Sequence, residues 1–353
     1  MSVANKELIY QILLEYDEYK KGMQEVESAT TKAQKTIENT EKKVAEAEKQ
    51  VAKYATVVTT ALTAVAAASV NMANEFNEGF AKVQTLIPES TERIEELKEN
   101  VLELSPIVGK TTSDLTEGLY EIVSAFGDSA DSAKSLEVAA KAATAGGATT
   151  KEAISLLSAV TKGYGDTSAD AQKKVSDLAF MTLKLGQTSM TDLAASMQRV
   201  TAMSNTLGVS QEELFAVFSA GTGVIGGAAE VSTQLSAVYT EMLKPGERLT
   251  NAFKELGVAT GQELIDKMGG ITGALDALKG VADRTGEPIS NLFGSVEAGK
   301  IALYTTGAGA EKLANDLEAM ADAAGASDVA FDKATTGGVG SFGFQLEQLK
   351  LNA

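Results

Sequence analysis

Two short stretches carry residue types that do chemistry elsewhere. Gly109-Lys110-Thr111 reads as the tail of a phosphate-cradling loop, and Gly221 to Gly226, G-T-G-V-I-G, fits the glycine pattern of a dinucleotide site. Each motif needs a β-strand leading in, because the strand aims successive backbone N–H groups at the phosphates. The first also needs a glycine where Leu104 stands, and Thr91 to Glu103 carries Ile94, Leu97, Val101 and Leu102 at helical spacing. Before the second lies SQEELFAVFSA, again helical in period. Both stretches therefore read as helix punctuation: Thr111 as the N-cap of a new helix, and Gly221, Gly223, Gly226 and Gly227 as a helix–loop–helix corner. No cofactor is expected.

Composition narrows the chemistry further. The 353 residues contain no Cys and no His, which excludes disulfides, thiolate nucleophiles, Ser-His-Asp triads and nearly every zinc site. No acidic pair sits in an apolar, aromatic-lined stretch that would raise a carboxyl pKa, so no catalytic residue and no metal ligand is expected, and the chain reads as a non-enzyme. A formal net charge of −17 repels a polyanion, so no specific nucleic acid is expected as a partner. The N-terminal MSVANKELIYQILLEYDEY lacks a basic leader, and no secretory signal is expected.

Four prolines, no Trp and 5% aromatic residues in a chain rich in Ala, Leu, Glu, Lys, Thr and Gly predict an all-α fold. A 3-4 spacing runs from Ile9 through Ile12, Tyr16, Tyr19, Met23, Val26, Ile37, Val44, Val51, Tyr54, Val58 and Val65 to Met72, with only Thr30 and Thr40 breaking the apolar rule. A period of 3.5 held this long predicts a coiled-coil-like helix over 1–73, about 95 Å long, with this seam as an oligomerisation surface. A long amphipathic helix packed within one subunit has nearly the same pattern. Within it, Tyr54 to Asn74 is 21 residues without a charge, long enough to span a bilayer but built on Ala and Thr.

Residues 74–108 read as a helical connector, and 109–336 as a core of short capped helices. Thr111-x-x-Asp114, Thr149-x-x-Glu152, Ser189-x-x-Asp192, Ser210-x-x-Glu213 and Thr260-x-x-Glu263 each have the form of a capping box. The first three recur at spacings near 40, and TTSDLTEGLYEIVSAFG, TTKEAISLLSAVTKGYG and TSMTDLAASMQRVTAMSNTLG each close on a glycine. They predict diverged αα-hairpins, stacked as a short solenoid or gathered in a bundle. Residues 337–353 give a glycine linker and the start of an amphipathic helix, from which a longer native protein is expected.

From about Ala73 to Leu351 the sequence resembles the core region of phage tail tape measure proteins of the minor-tail type. The resemblance rests on MANEFNEGFAKVQTL, on LGVSQEELFAVFSAGTGVIGGAAEVSTQLSAVYTEML, on NAFKELGV and on PISNLFGSVEAGKIALYTTGAGAEKLANDLEAM, in that order. It implies a structural protein that sets tail length as a multi-copy helical ruler in the lumen of the virion tail and leaves ahead of DNA at infection. The implied partners are further copies of itself, the tail tube protein, tail assembly chaperones, distal tail or tail tip proteins and, on ejection, the host membrane; assembly would occur in the host cytoplasm. Members of that family usually continue into a long helical tape, and some carry a muramidase or peptidase module; neither is present in this sequence. From a different class, a membrane-active pore-former or secretion translocator would use Tyr54 to Asn74 as its inserting arm.

Overall fold

The computed structural model describes residues 73–87 and 90–336. The expected heptad helix over 1–73 apart from its last residue, its seam from Ile9 to Val65, the linker at 337–353 and all but the last two positions of the 54–74 stretch lie outside the described residues. Residues Gly79–Ser341 form one compact unit.

All regular structure among the described residues is helical, and the nearest thing to a strand is one isolated bridge between Thr222 and Gly226. The helices are α1 (73–86), α2 (Thr91–Val108), α3 (Thr112–Phe126), α4 (Ser132–Gly146), α5 (Thr150–Tyr164), α6 (Ala169–Leu185), α7 (Met190–Met197) and α8 (Thr201–Thr206). They continue as α9 (Gln211–Gly221), α10 (Ala228–Leu243), α11 (Glu247–Glu255), α12 (Gly261–Met268) and α13 (Ile271–Thr285). A 3-10 turn (Ile289–Leu292) then leads to α14 (Val296–Thr305), α15 (Ala310–Ala321) and α16 (Ala326–Thr336).

The helices stack in two layers. One runs α3, α5, α7 with α8, α10 and α14; the other runs α2, α4, α6, α9 and α15. Successive hairpins lie side by side, the arrangement of a short helical solenoid. Helices α11 to α13 and the 3-10 turn interrupt the alternation between α10 and α14, and α16 crosses back over α4 and α6.

The starts are where the caps place them. The hydroxyls of Thr111, Thr149, Ser189, Ser210 and Thr260 each accept a hydrogen bond from the N–H three residues on, and Thr149 with Glu152 completes a reciprocal box. The segment after Ser189 is broken between Met197 and Thr201 into α7 and α8. Between the layers, Leu115, Leu119, Leu136, Leu156, Leu157, Phe215 and Phe218 are fully buried, each such side chain contributing about 1.5–3 kcal/mol.

Candidate functional site

The surface that makes this chain an array is the seam between consecutive hairpins. In the first layer it is built from glycines facing threonines. A Cβ on Gly79 would lie 2.7 Å from the Thr116 methyl, and one on Gly163 would lie 2.6 Å from Thr201 Cβ. On Gly118 it would strike the Thr150 methyl in the same way. The missing side chains let neighbouring helices approach until the threonine fills the gap.

Polar ties of nearly constant reach run alongside. Both oxygens of Asp114 accept from the Thr150 N–H at 3.2 Å, with the Thr150 hydroxyl also donating to this carboxylate. Lys151 meets Glu117 at 3.0 Å, Gln172 Nε2 donates to Ser135 Oγ at 3.0 Å, and the Thr191 hydroxyl donates to Glu152 at 3.0 Å. Ser232 Oγ donates to the Ser196 carbonyl at 2.8 Å. Sequence separations across these ties run from 34 to 39 residues, the same repeat that the caps announce.

Two capping acids do more than their sequence pattern predicts. Asp114 reaches to another helix, and Glu213 reaches to another helix while still meeting the Ser210 backbone at its own N-cap. The Glu213 carboxylate is buried against the start of α13, where the Thr272 N–H points at it at 3.4 Å. Burial pushes its pKa up, against the lowering effect of the backbone N–H groups. Glu241, which the glycine pattern would make a ribose ligand, instead accepts from the N–H groups of Gly294 and Ser295 at 2.6 and 2.9 Å and from Ser295 Oγ at 2.7 Å. It caps α14. A carboxylate at a helix N-terminus satisfies orphan donors and opposes the helix dipole. No sequence signal marks Glu241 for this work, because its partner lies 53 residues away.

The glycine corner joins α9 to α10. Gly223 has φ 84° and donates to the Gly226 carbonyl at 2.9 Å, while the Ile225 N–H closes on Gly221 at 2.8 Å. A Cβ on Gly221 would meet Val231 at 2.9 Å, one on Gly226 would meet Glu230 at 2.9 Å, and Gly227 is the N-cap of α10. A helix, not a strand, leads in, and the N–H groups of Gly223, Val224 and Ile225 are spent within the corner. Around it, Thr222 Oγ accepts from the Gln187 N–H at 3.1 Å, and Tyr304 donates to the Ala220 carbonyl at 2.7 Å. Ser219 donates to Asp316 at 2.7 Å, and Lys312 reaches both Asp316 at 2.7 Å and the Leu185 carbonyl at 3.1 Å. Four helices are thereby fixed to one bend.

At the other lookalike, α2 runs into Gly109, which ends it at φ 65°. Lys110 Nζ donates to the Ala148 carbonyl at 2.5 Å, tying the α2–α3 turn to the α4–α5 turn. Its ammonium is a structural pin. Among the described residues no group of three or more acidic, His or Cys side chains is placed to hold a metal, and no helix is long and apolar enough to cross a membrane.

Comparison with known proteins falls on this same region. A family model described as "Phage-related minor tail protein" matches residues 98–294. The chain is 26% identical over 271 residues to the "Probable tape measure protein" of Clostridium phage phiCD119, covering 73% of this chain and 28% of that protein. It is 24% identical over 207 residues to the "Tape measure protein" of Pneumococcus phage Dp-1, covering 58% of this chain and 18% of that one. The chain thus spans less than a third of either relative's length. No solved structure matches.

Proposed function

This chain belongs to the family of phage-related minor tail proteins, and we propose that within it the chain serves as a structural, non-catalytic tail tape measure component. One observation carries this: the family match begins in α2 and ends just before α14, so it covers the stacked hairpins, the glycine corner and the inserted helices together. What is shared with the family is therefore an architecture held by packing and caps. The names of the relatives from phiCD119 and Dp-1 point the same way.

In this reading 1–73 is the ruler segment, 74–108 a connector, 109–336 the tape measure core and 337–353 a linker. Several copies associate along the seam from Ile9 to Val65 inside the tail tube, with the tube protein, assembly chaperones and distal tail proteins as partners, and leave ahead of DNA. An acidic surface suits a lumen that DNA must later traverse without sticking. The membrane-active alternative draws on Tyr54 to Asn74, nearly all outside the described residues, and the relatives favour the tail.

The test is genetic and metric. Two extra heptads inserted in frame near Val44 of the encoding phage or prophage should lengthen its tails by about 21 Å, since helix adds about 1.5 Å per residue. Electron micrographs of purified tails read the length, and mass spectrometry reads whether the chain is in them. Tails of unchanged length that lack the chain would overturn the proposal.

A further inference from the structure

Helix α16 is attached differently from every helix beneath it. Of its 11 residues only Ser327 and Phe331 are buried, and Val329 is 54% exposed. Helix α5, by contrast, buries seven. An isolated helix of this length is marginal in water, so α16 persists because something holds it. That something is polar and concentrated at one end. Asp177, on α6, accepts from the Gly325 N–H at 3.0 Å, the Ser327 N–H at 2.9 Å and the Ser327 hydroxyl at 2.6 Å. Its partners lie 148 to 150 residues further along the chain. Lys173, one turn before Asp177, reaches Asp177 at 2.7 Å, Ser327 Oγ at 3.1 Å and Asp328 at 3.1 Å. Beyond this the helix crosses α4 and α6 with Phe331 buried and Lys141 of α4 over its ring at 5.8 Å.

From this geometry we infer that α16 is a releasable strap, latched at its N-terminus by Asp177 and able to open while the hairpin array stays folded. The reason lies in what opening leaves behind. When α16 lifts, Asp177 keeps Lys173, so the carboxylate is not stranded without a partner; the N–H groups of Gly325 and Ser327 go to water. Of the helix's own apolar side chains, opening uncovers one that was buried, Phe331. Such a segment belongs to the low end of the local stabilities within a fold. Closed, the strap returns the chain to α4. Open, it frees the segment after Gly325 to extend from the end of α15, and its 11 residues change from about 16 Å of helix to as much as about 36 Å of extended chain. The inference stands on these contacts and does not depend on the tail assignment.

Hydrogen exchange on the full chain, followed by mass spectrometry, tests it. The amides of 326–336 should exchange well before those of α4, α5 and α6. Asp177→Ala should speed exchange in α16 a further ten- to hundred-fold, the range of charge-assisted hydrogen bonds, while α3 to α5 change less than two-fold. If Asp177→Ala does not fold, Ser327→Ala removes one donor and two contacts and should show the same pattern on a smaller scale. The idea fails if α16 exchanges only together with α4 and α6, if removing the latch loosens α16 and α3 to α5 alike, or if it leaves α16 unchanged.

Discussion

The hairpins from α3 to α10 and the helices after them are held with different emphasis. In the first region helix meets helix through glycine–threonine contacts and fully buried leucines, with ties spanning 34 to 39 residues, one of them the Asp114 carboxylate on the Thr150 N–H at the start of α5. In the second, a carboxylate on an earlier helix holds the N-terminus of a later one: Glu213 for α13, Glu241 for α14 and Asp177 for α16. A stacked array gains stability from each neighbour and tolerates no added volume in its seam. A latch concentrates its contribution in a few charge-assisted bonds, which one substitution or one proton removes.

The largest effect expected from that difference is at Gly118. Gly118→Val forces a Cβ and two methyl groups into the space held by Thr150 and Ile154, and should cost about 3 kcal/mol or more, seen as loss of cooperative thermal unfolding of the whole array. A drop under about 1 kcal/mol would mean the seam is looser than its glycines imply. Next comes Glu241→Ala, which strands the first donors of α14 and should cost about 2 kcal/mol by denaturant titration, with exchange at 294–298 faster and α3 to α6 untouched.

Two latches should respond to pH with opposite sign. Burial alone would raise the pKa of Asp177, but Lys173, Ser327 and Gly325 hold it below the usual carboxylate value. Its contribution is complete above the unfolded pKa near 3.8 and is lost as pH falls through the lower folded value. Glu213, with its pKa raised by burial, binds a proton more tightly when folded, so its effect on stability worsens as pH rises from 4.5 through the folded value. Glu213→Gln should remove that loss and flatten this limb of the profile, and melting curves from pH 3 to 8 read both signs. The smallest effect is expected at Lys110. Lys110→Ala should cost about 1 kcal/mol or less, and ATP titrated into the unaltered chain should give no saturable heat. A micromolar site abolished by that substitution would make the pin a phosphate ligand.

Much of the array was legible because its signals are local. A serine or threonine three residues before an acid announces a helix start, and the five read this way are N-caps; Thr167 before Asp170 has the same form but misses by one, the cap being Ser168. The glycines ending the three hairpins, Gly127, Gly165 and Gly208, all have positive φ, between 76° and 81°. The break at Gln198 to Val200 was not legible, since no proline or glycine marks it and the apolar spacing continues across it. Nor could the sequence say that Asp114 and Glu213 would reach beyond their own helix starts. Each meets a helix start 36 or 59 residues away, and only the packing of α5 and α13 against them makes that contact.

The sequence by itself determined that the region is helical, where most of its helices start, that it repeats near every 40 residues and that both glycine motifs stand between helices. Those are properties of neighbours in the chain: periodicity, capping and the absence of a leading strand. Tertiary structure decided which acids became latches, that the corner at Gly221 to Gly227 is the point where α6, α9, α14 and α15 are fastened, and that α16 returns to α6 across about 150 residues. A carboxylate can satisfy any N–H within about 3 Å, and only the folded chain determines which helix end arrives there.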